Sequence, residues 1–154
     1  MHVLAEVRRN YTVDARRIYL MGHSMGAIGT WKLAPKDPAT WAALGAFSGQ
    51  GVPATVERMR NVPEFVVHGD ADPTVKVAGS RAMVAALKTQ GVAVTYIELP
   101  GGNHGNVCEP NLPGMFHSLA RTRNPCPLRL AAPAPERHRP PRDGAGRRGR
   151  HPRR

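Results

Sequence analysis

Arg17-Ile18-Tyr19-Leu20-Met21-Gly22-His23-Ser24-Met25-Gly26 decides how the chain is read. Residues 17–21 form a short apolar run before a glycine, the pattern of a buried parallel strand. Residues from Ser24 to about Leu33 read as a helix. The tight strand-to-helix turn between them carries a serine flanked by glycines, G-x-S-x-G. Such a turn is strained, and glycines on either side are expected because a Cβ there would meet the facing backbone. It projects the serine hydroxyl outward and aims the N–H of Met25, at the start of the helix, at negative charge developing there, which the helix N-terminus also stabilises.

Downstream, the pattern repeats. Trp41 to Phe47 is a second apolar run that ends in the turn cluster Ser48-Gly49-Gln50-Gly51. Glu64-Phe65-Val66-Val67-His68 is a third strand, followed by Gly69-Asp70-Ala71-Asp72-Pro73. Residues 76–90 place Val77, Met83, Val84 and Leu87 on one helical face, closed by Gly91. Ala93 to Leu99 is a fourth strand, and residues 111–120 could begin a last helix. Strands alternating with helices specify an α/β domain with a parallel sheet of about four strands flanked by helices. Sites in such sheets lie at the carboxyl ends of the strands.

Three chemically useful residues fall at those ends: Ser24, an aspartate after the third strand, and His104 in Gly101-Gly102-Asn103-His104 after the fourth. G-x-S-x-G alone arises by chance in roughly one chain of this length in twenty, and a serine N-cap after a glycine turn would look the same. The order Ser, Asp, His at successive strand ends is harder to obtain by accident. It suits nucleophilic catalysis, in which a neutral imidazole accepts the serine proton and a buried carboxylate holds its tautomer. Both Asp70 and Asp72 are candidates for that carboxylate. Asp70 also fits a loop-stabilising role, bonding nearby backbone N–H groups.

The segments RIYLMGHSMGAIGTWKLAPKDPATWAALGAFSGQG (17–51), HGDADPTV (68–75) and LPGGNHG (99–105) resemble the esterase and prolyl-oligopeptidase-like branch of the α/β-hydrolases. Within it they lie near feruloyl-esterase and polyhydroxybutyrate-depolymerase-like proteins. The resemblance covers about residues 1–120 and implies a partial α/β-hydrolase fold. It implies Ser24 as nucleophile, Asp72 as acid partner and His104 as base, with Met25 donating to the oxyanion and His23 lining the substrate pocket. The substrate it implies is a small-molecule or polymer ester, with no cofactor. A prolyl-oligopeptidase-like peptidase uses the same triad and stays open as an alternative. Family members carry an upstream segment with the first strands and a second oxyanion N–H. Loss of one such donor typically costs about 2.7–4 kcal/mol, roughly 10²–10³ in rate. Without that segment the strand at 17–21 becomes an edge, and an apolar edge invites self-association.

The remaining histidines and both tryptophans are given plainer roles. His68 is expected to fix the acid-bearing loop, and Trp31 and Trp41 to pack. No histidine has a partner at metal-ligand spacing, so no metal is expected.

Composition sets the outer bounds. The 154 residues carry a net charge of +11, which suggests a nucleic-acid partner until its distribution is considered. Residues 121–154 hold eleven arginines against Glu136 and Asp143, a net +9, which leaves +2 for residues 1–120. The same tail has seven of the fifteen prolines and no aliphatic residue larger than alanine after Leu130. A catalytic domain over 1–120 and a disordered basic tail over 121–154 are therefore expected. Because no recognition fold accompanies the charge, nucleic-acid binding through that tail is a minor reading. His2 to Asn10 alternates apolar and charged residues at helical spacing, with Val3, Leu4 and Val7 on one face. No run resembles a signal peptide or a membrane span, so a soluble, cytoplasmic protein is the default expectation.

Overall fold

A computed structural model describes residues 2–125. Its elements are α1 (His2–Asn10), β1 (Tyr19–His23), α2 (Met25–Leu33), β2 (Ala43–Phe47), β3 (Glu64–Gly69), α3 (Val77–Thr89), β4 (Val94–Leu99) and α4 (Leu112–Ala120). The four strands form one parallel sheet in the order β1-β2-β3-β4. Each strand therefore lies beside the next in sequence, and all four carboxyl ends fall on one edge of the sheet.

Side-chain alternation along the strands sorts the core into two layers. Leu44, Ala46 and Val66 face Trp31 of α2 and Met83, Val84 and Leu87 of α3. Ala43, Phe47, Phe65 and Val67 point the other way, toward Met115 and Leu119 of α4. Every residue of β2 and β3 is buried, as expected of inner parallel strands covered on both faces. Burying a side chain such as Leu44, Phe47 or Met83 contributes about 1.5–3 kcal/mol each.

The first strand begins later than the sequence suggests. It runs from Tyr19 to His23 rather than 17–21, because its register with β2 pairs Tyr19 with Ala43 and His23 with Phe47. Arg17 lies before it, exposed, and Gly22 is inside the strand. β1 is one edge of the sheet and β4 the other, and all five residues of β1 are half-buried. The apolar stripe of α1 is largely uncovered: Val3 is exposed, Val7 is exposed, and only Leu4 packs on the core.

Four short 3-10 helices escape the apolar periodicity: Ala34–Lys36, Pro38–Thr40, Pro53–Met59 and Glu109–Asn111. Each has a proline in its first turn, where the missing N–H costs nothing. Just beyond the expected division at residue 121, the chain still touches the domain. Asn124 is buried, its amide donates to Arg16 O, and its side chain donates to Ala39 O, so residues 121–125 are tied to the domain. The expected tail beyond them lies outside the described residues. Among those described, no helix is long and apolar enough to cross a membrane.

Candidate active site

β1 delivers Ser24 into a turn with φ 57° and ψ −119°, a conformation that costs a non-glycine residue about 1–3 kcal/mol. Its surroundings hold it there. The Ser24 amide donates to Phe47 O at 2.9 Å, and the amide of Ile28 donates to Ser24 O at 3.1 Å. A Cβ on Gly22 would stand 2.3 Å from the carbonyl carbon of Gly26, so the first glycine is sterically required. The second is not: a Cβ on Gly26 meets nothing within 4 Å. The expectation that both glycines relieve a clash holds for one side of the turn only. The close approach is made by the backbone of Gly26, while its own Cβ position faces open space.

The acid and base loops come together through a second glycine pair. A Cβ on Gly69 would lie 2.1 Å from Gly102 O, so the loops after β3 and β4 touch backbone to backbone. Asp70 reinforces the contact, its Oδ1 accepting from the Gly101 amide at 2.7 Å. Asn103 and Asn106 brace the base loop: Asn103 Oδ1 accepts from the amides of Gly105 and Asn106, and Asn106 Oδ1 accepts from that of Asn103.

These supports bring Ser24, Asp72 and His104 together. His104 Nδ1 lies 2.7 Å from Asp72 Oδ2, and its Nε2 lies 2.8 Å from Ser24 Oγ. An ionised carboxylate only accepts, so Nδ1 carries the proton and Nε2 is left as a lone pair facing the serine hydroxyl. Asp72 is buried. Its Oδ1 accepts from the amides of Thr74 at 2.8 Å and Val75 at 2.9 Å. Burial alone would raise its pKa, but the His104 hydrogen bond and these two amides outweigh it and bring the carboxyl down to about 2. The group is thus a fixed anion at any pH where His104 could act as a base.

Two neighbouring histidines brace these loops. His23 does not simply line a pocket: its Nε2 lies 2.8 Å from the backbone carbonyl of His104, and the two rings stand 4.8 Å apart. A carbonyl only accepts, so His23 donates and anchors the base loop. It comes into reach because β1 extends to residue 23. His68 is fully buried, with Nε2 2.9 Å from Val75 O and Nδ1 2.7 Å from Ser80 Oγ. This fits the loop-fixing role expected for it, and Ser80 is a participant the sequence reading passed over. The signal was present, since Ser80 lies three residues after Val77 and four before Val84 on the buried face of α3.

Met25 opens α2 with its side chain 82% exposed. Its amide belongs to the first helical turn, where N–H groups have no intrahelical acceptor. Asp70 is exposed and bonds the base loop rather than His104. Three cavities of about 640, 340 and 340 Å³ are lined by residues other than Ser24, Asp72 and His104. Among the described residues, no group of three or more His, Cys, Asp or Glu side chains could hold a metal ion.

A parallel sheet with a strained serine turn and an aspartate and histidine at successive strand ends defines an α/β-hydrolase. Within that class, the sequence pattern of the phospholipase/carboxylesterase family matches residues 1–121, and the chain belongs to that family. A cutinase of Thermobifida fusca is 31% identical over 108 residues, which cover 66% of this chain and 30% of that protein. Esterase LipQ of Mycobacterium tuberculosis is 54% identical over 43 residues, 27% of this chain and 10% of that protein. Among solved structures, a thermostable esterase superposes with a TM-score of 0.74 at 29% identity, covering 79% of this chain and 35% of that one. The chain thus spans little more than a third of the length of these relatives at most.

Proposed function

We propose that this chain hydrolyses carboxylic esters through an acyl-enzyme. Ser24 attacks the ester carbonyl, and His104 takes its proton. Asp72 holds the Nδ1 tautomer and stabilises the imidazolium that forms. The N–H of Met25 donates to the oxyanion. His104 then returns the proton to the leaving alkoxide, and water repeats the sequence to release the acid. The observation that carries this reading is the unbroken line from Asp72 Oδ2 through His104 to Ser24 Oγ, with links of 2.7 and 2.8 Å.

An ester, rather than a peptide bond, is favoured by the relatives, which are named esterases and cutinases. The substrate class is a small-molecule or polymer ester. The test is covalent labelling by a fluorophosphonate probe together with hydrolysis of short p-nitrophenyl esters. Labelling should fall on Ser24, Ser24→Ala should lose about 10⁶ in kcat, and proline-containing amides should be cleaved more slowly than esters. Absence of label on folded protein would remove the reading.

A further inference from the structure

A neutral His68 ring and the Ser80 hydroxyl hold two protons between them, one fewer than the three contacts that need one, at Val75 O, between Nδ1 and Ser80 Oγ, and at Gly49 O. Nε2 faces Val75 O at 2.9 Å and Asp72 Oδ2 at 3.3 Å, and both only accept, so Nε2 bears a proton. Nδ1 faces Ser80 Oγ at 2.7 Å, while that same oxygen stands 3.0 Å from Gly49 O. A hydroxyl has one proton to give. If it goes to Nδ1, the Gly49 carbonyl loses this donor. If it goes to Gly49 O, Nδ1 must bring a proton of its own. Only the second arrangement satisfies both contacts, and it makes the ring an imidazolium.

We propose that His68 is a positioning residue held doubly protonated, and that it acts on the reaction through Asp72. An isolated buried cation would be prohibitively costly, but this one has a buried anion beside it. His68 and Asp72 side chains are both fully buried, at 0% exposure. The surrounding field also favours the cation. Glu98 is paired with His68 in register across β3 and β4, and hydrogen bonds from Arg81 and Tyr96 hold its carboxyl down at about 2, as an anion. The charged or titratable groups around the ring are therefore Asp72 in its own loop and Glu98 on β4, the latter bound by Arg81 of α3 and Tyr96, with His104 beyond Asp72. From α3 itself Ser80 contributes a neutral hydroxyl.

The consequence concerns Asp72. Its Oδ2 is shared between two imidazoles, one permanently charged and one that becomes charged only when Ser24 attacks. With His68 charged, the resting site is neutral overall, and the imidazolium forming on His104 meets a carboxylate already partly compensated. Remove the charge on His68 and that carboxylate is left to His104 alone. The acid limb of the pH–rate profile, which reports the free enzyme's base, then moves to higher pH.

This inference rests on the proposed triad, but its first test does not. Nitrogen-15 NMR of the full chain with labelled histidine should show both ring nitrogens of His68 protonated at pH 7 to 8. A bare Nδ1 there would overturn the proposal, whether or not Ser24 reacts with a fluorophosphonate; failure of Ser24 to label would overturn the triad reading alone. Two variants carry the argument to function. Ser80→Ala removes the acceptor for Nδ1–H at little change in volume. His68→Gln keeps a donor near Val75 O without the charge. In each, the acid limb of kcat/KM for p-nitrophenyl acetate should rise by about 0.5–1 pH unit, within the range that a nearby charge commands. If both variants keep the wild-type profile and change only its height, His68 is merely structural and the proposal fails.

Discussion

Two buried carboxylates stand at opposite ends of β3, and they ionise in opposite ways. Glu64 opens the strand and Asp72 follows its carboxyl end, each only 4% exposed. Asp72 receives three hydrogen bonds, from Thr74, Val75 and His104, and its carboxyl sits at about 2. Glu64 receives one, from Trp31 Nε1 at 2.8 Å, and its Oε1 has no partner among the described residues. Desolvation dominates there, and the carboxyl is pushed up to about 7. Burial penalises both anions, so the number of donors decides the sign. The difference comes from the backbone. At the carboxyl end the chain turns, and the turn releases amides that point inward. At the amino end the strand amides are already used, that of Glu64 donating to Ala93 O.

The largest effect should come from removing the anion at the carboxyl end. Asp72→Asn keeps shape and loses charge, and it lets the amide present a donor to His104 in place of an acceptor. A fall in kcat of about 10⁴ is expected, measured with a p-nitrophenyl ester at pH 8. Retention of more than a tenth of the activity would break the comparison, because Asp72 would then be no more than a loop anchor. Its lowered pKa also has a stability sign. The contribution is present above the unfolded value of 3.8 and is lost as pH falls through about 2.

At the other end the sign reverses. With a folded pKa of about 7 against 4.5 unfolded, Glu64 favours the folded state most below 4.5, and that contribution is lost as pH rises through 7. Glu64→Gln keeps the acceptor for Trp31 and has nothing to ionise. In urea unfolding, the variant should gain on the wild type between pH 5 and pH 8, by about 3 kcal/mol at most. Trp31 fluorescence should show a step near pH 7 in the wild type that the variant lacks. A constant stability difference across that range would mean that Glu64 is ionised throughout.

This contrast also marks how far the sequence could be read. The three strand-end motifs placed Ser24, Asp72 and His104, because each motif is local and each lies where a parallel sheet gathers its loops. Residues that act across the fold left weaker traces. Glu64 looked like the polar start of an apolar strand, and only packing brings Trp31, on a helix 33 residues earlier, against its carboxyl. Ser80 is a single polar residue on the apolar face of α3, and its partner His68 lies on a strand twelve residues earlier. His23 was assigned by its adjacency to Ser24, and its carbonyl partner lies 81 residues away. Composition does not register the two hydrogen bonds that tie Asn124, three residues past the division at 121, back to Arg16 and Ala39. Pattern reaches what neighbours in sequence determine, and it weakens where a contact is set by register between distant strands.

The smallest effect falls on Asp70, the other acid in the same loop, and it sharpens the comparison most. Asp70 and Asp72 are two residues apart and were both candidates for the acid partner. Asp70 is exposed and accepts one hydrogen bond, from the Gly101 amide at 2.7 Å, while its own amide donates to Leu99 O at 3.1 Å. It joins the acid loop to the base loop without touching His104. Asp70→Ala should therefore cost about 0.5–1.5 kcal/mol of stability, the net worth of one hydrogen bond, and lower ester hydrolysis by less than about tenfold. Asp70→Asn retains the acceptor oxygen and should restore most of both. A loss at Asp70 comparable with that of Asp72→Asn would show that joining the loops matters as much as the charge they carry. A small loss rescued by asparagine would show that the carboxylate is needed only where burial and three donors fix it as an anion against His104.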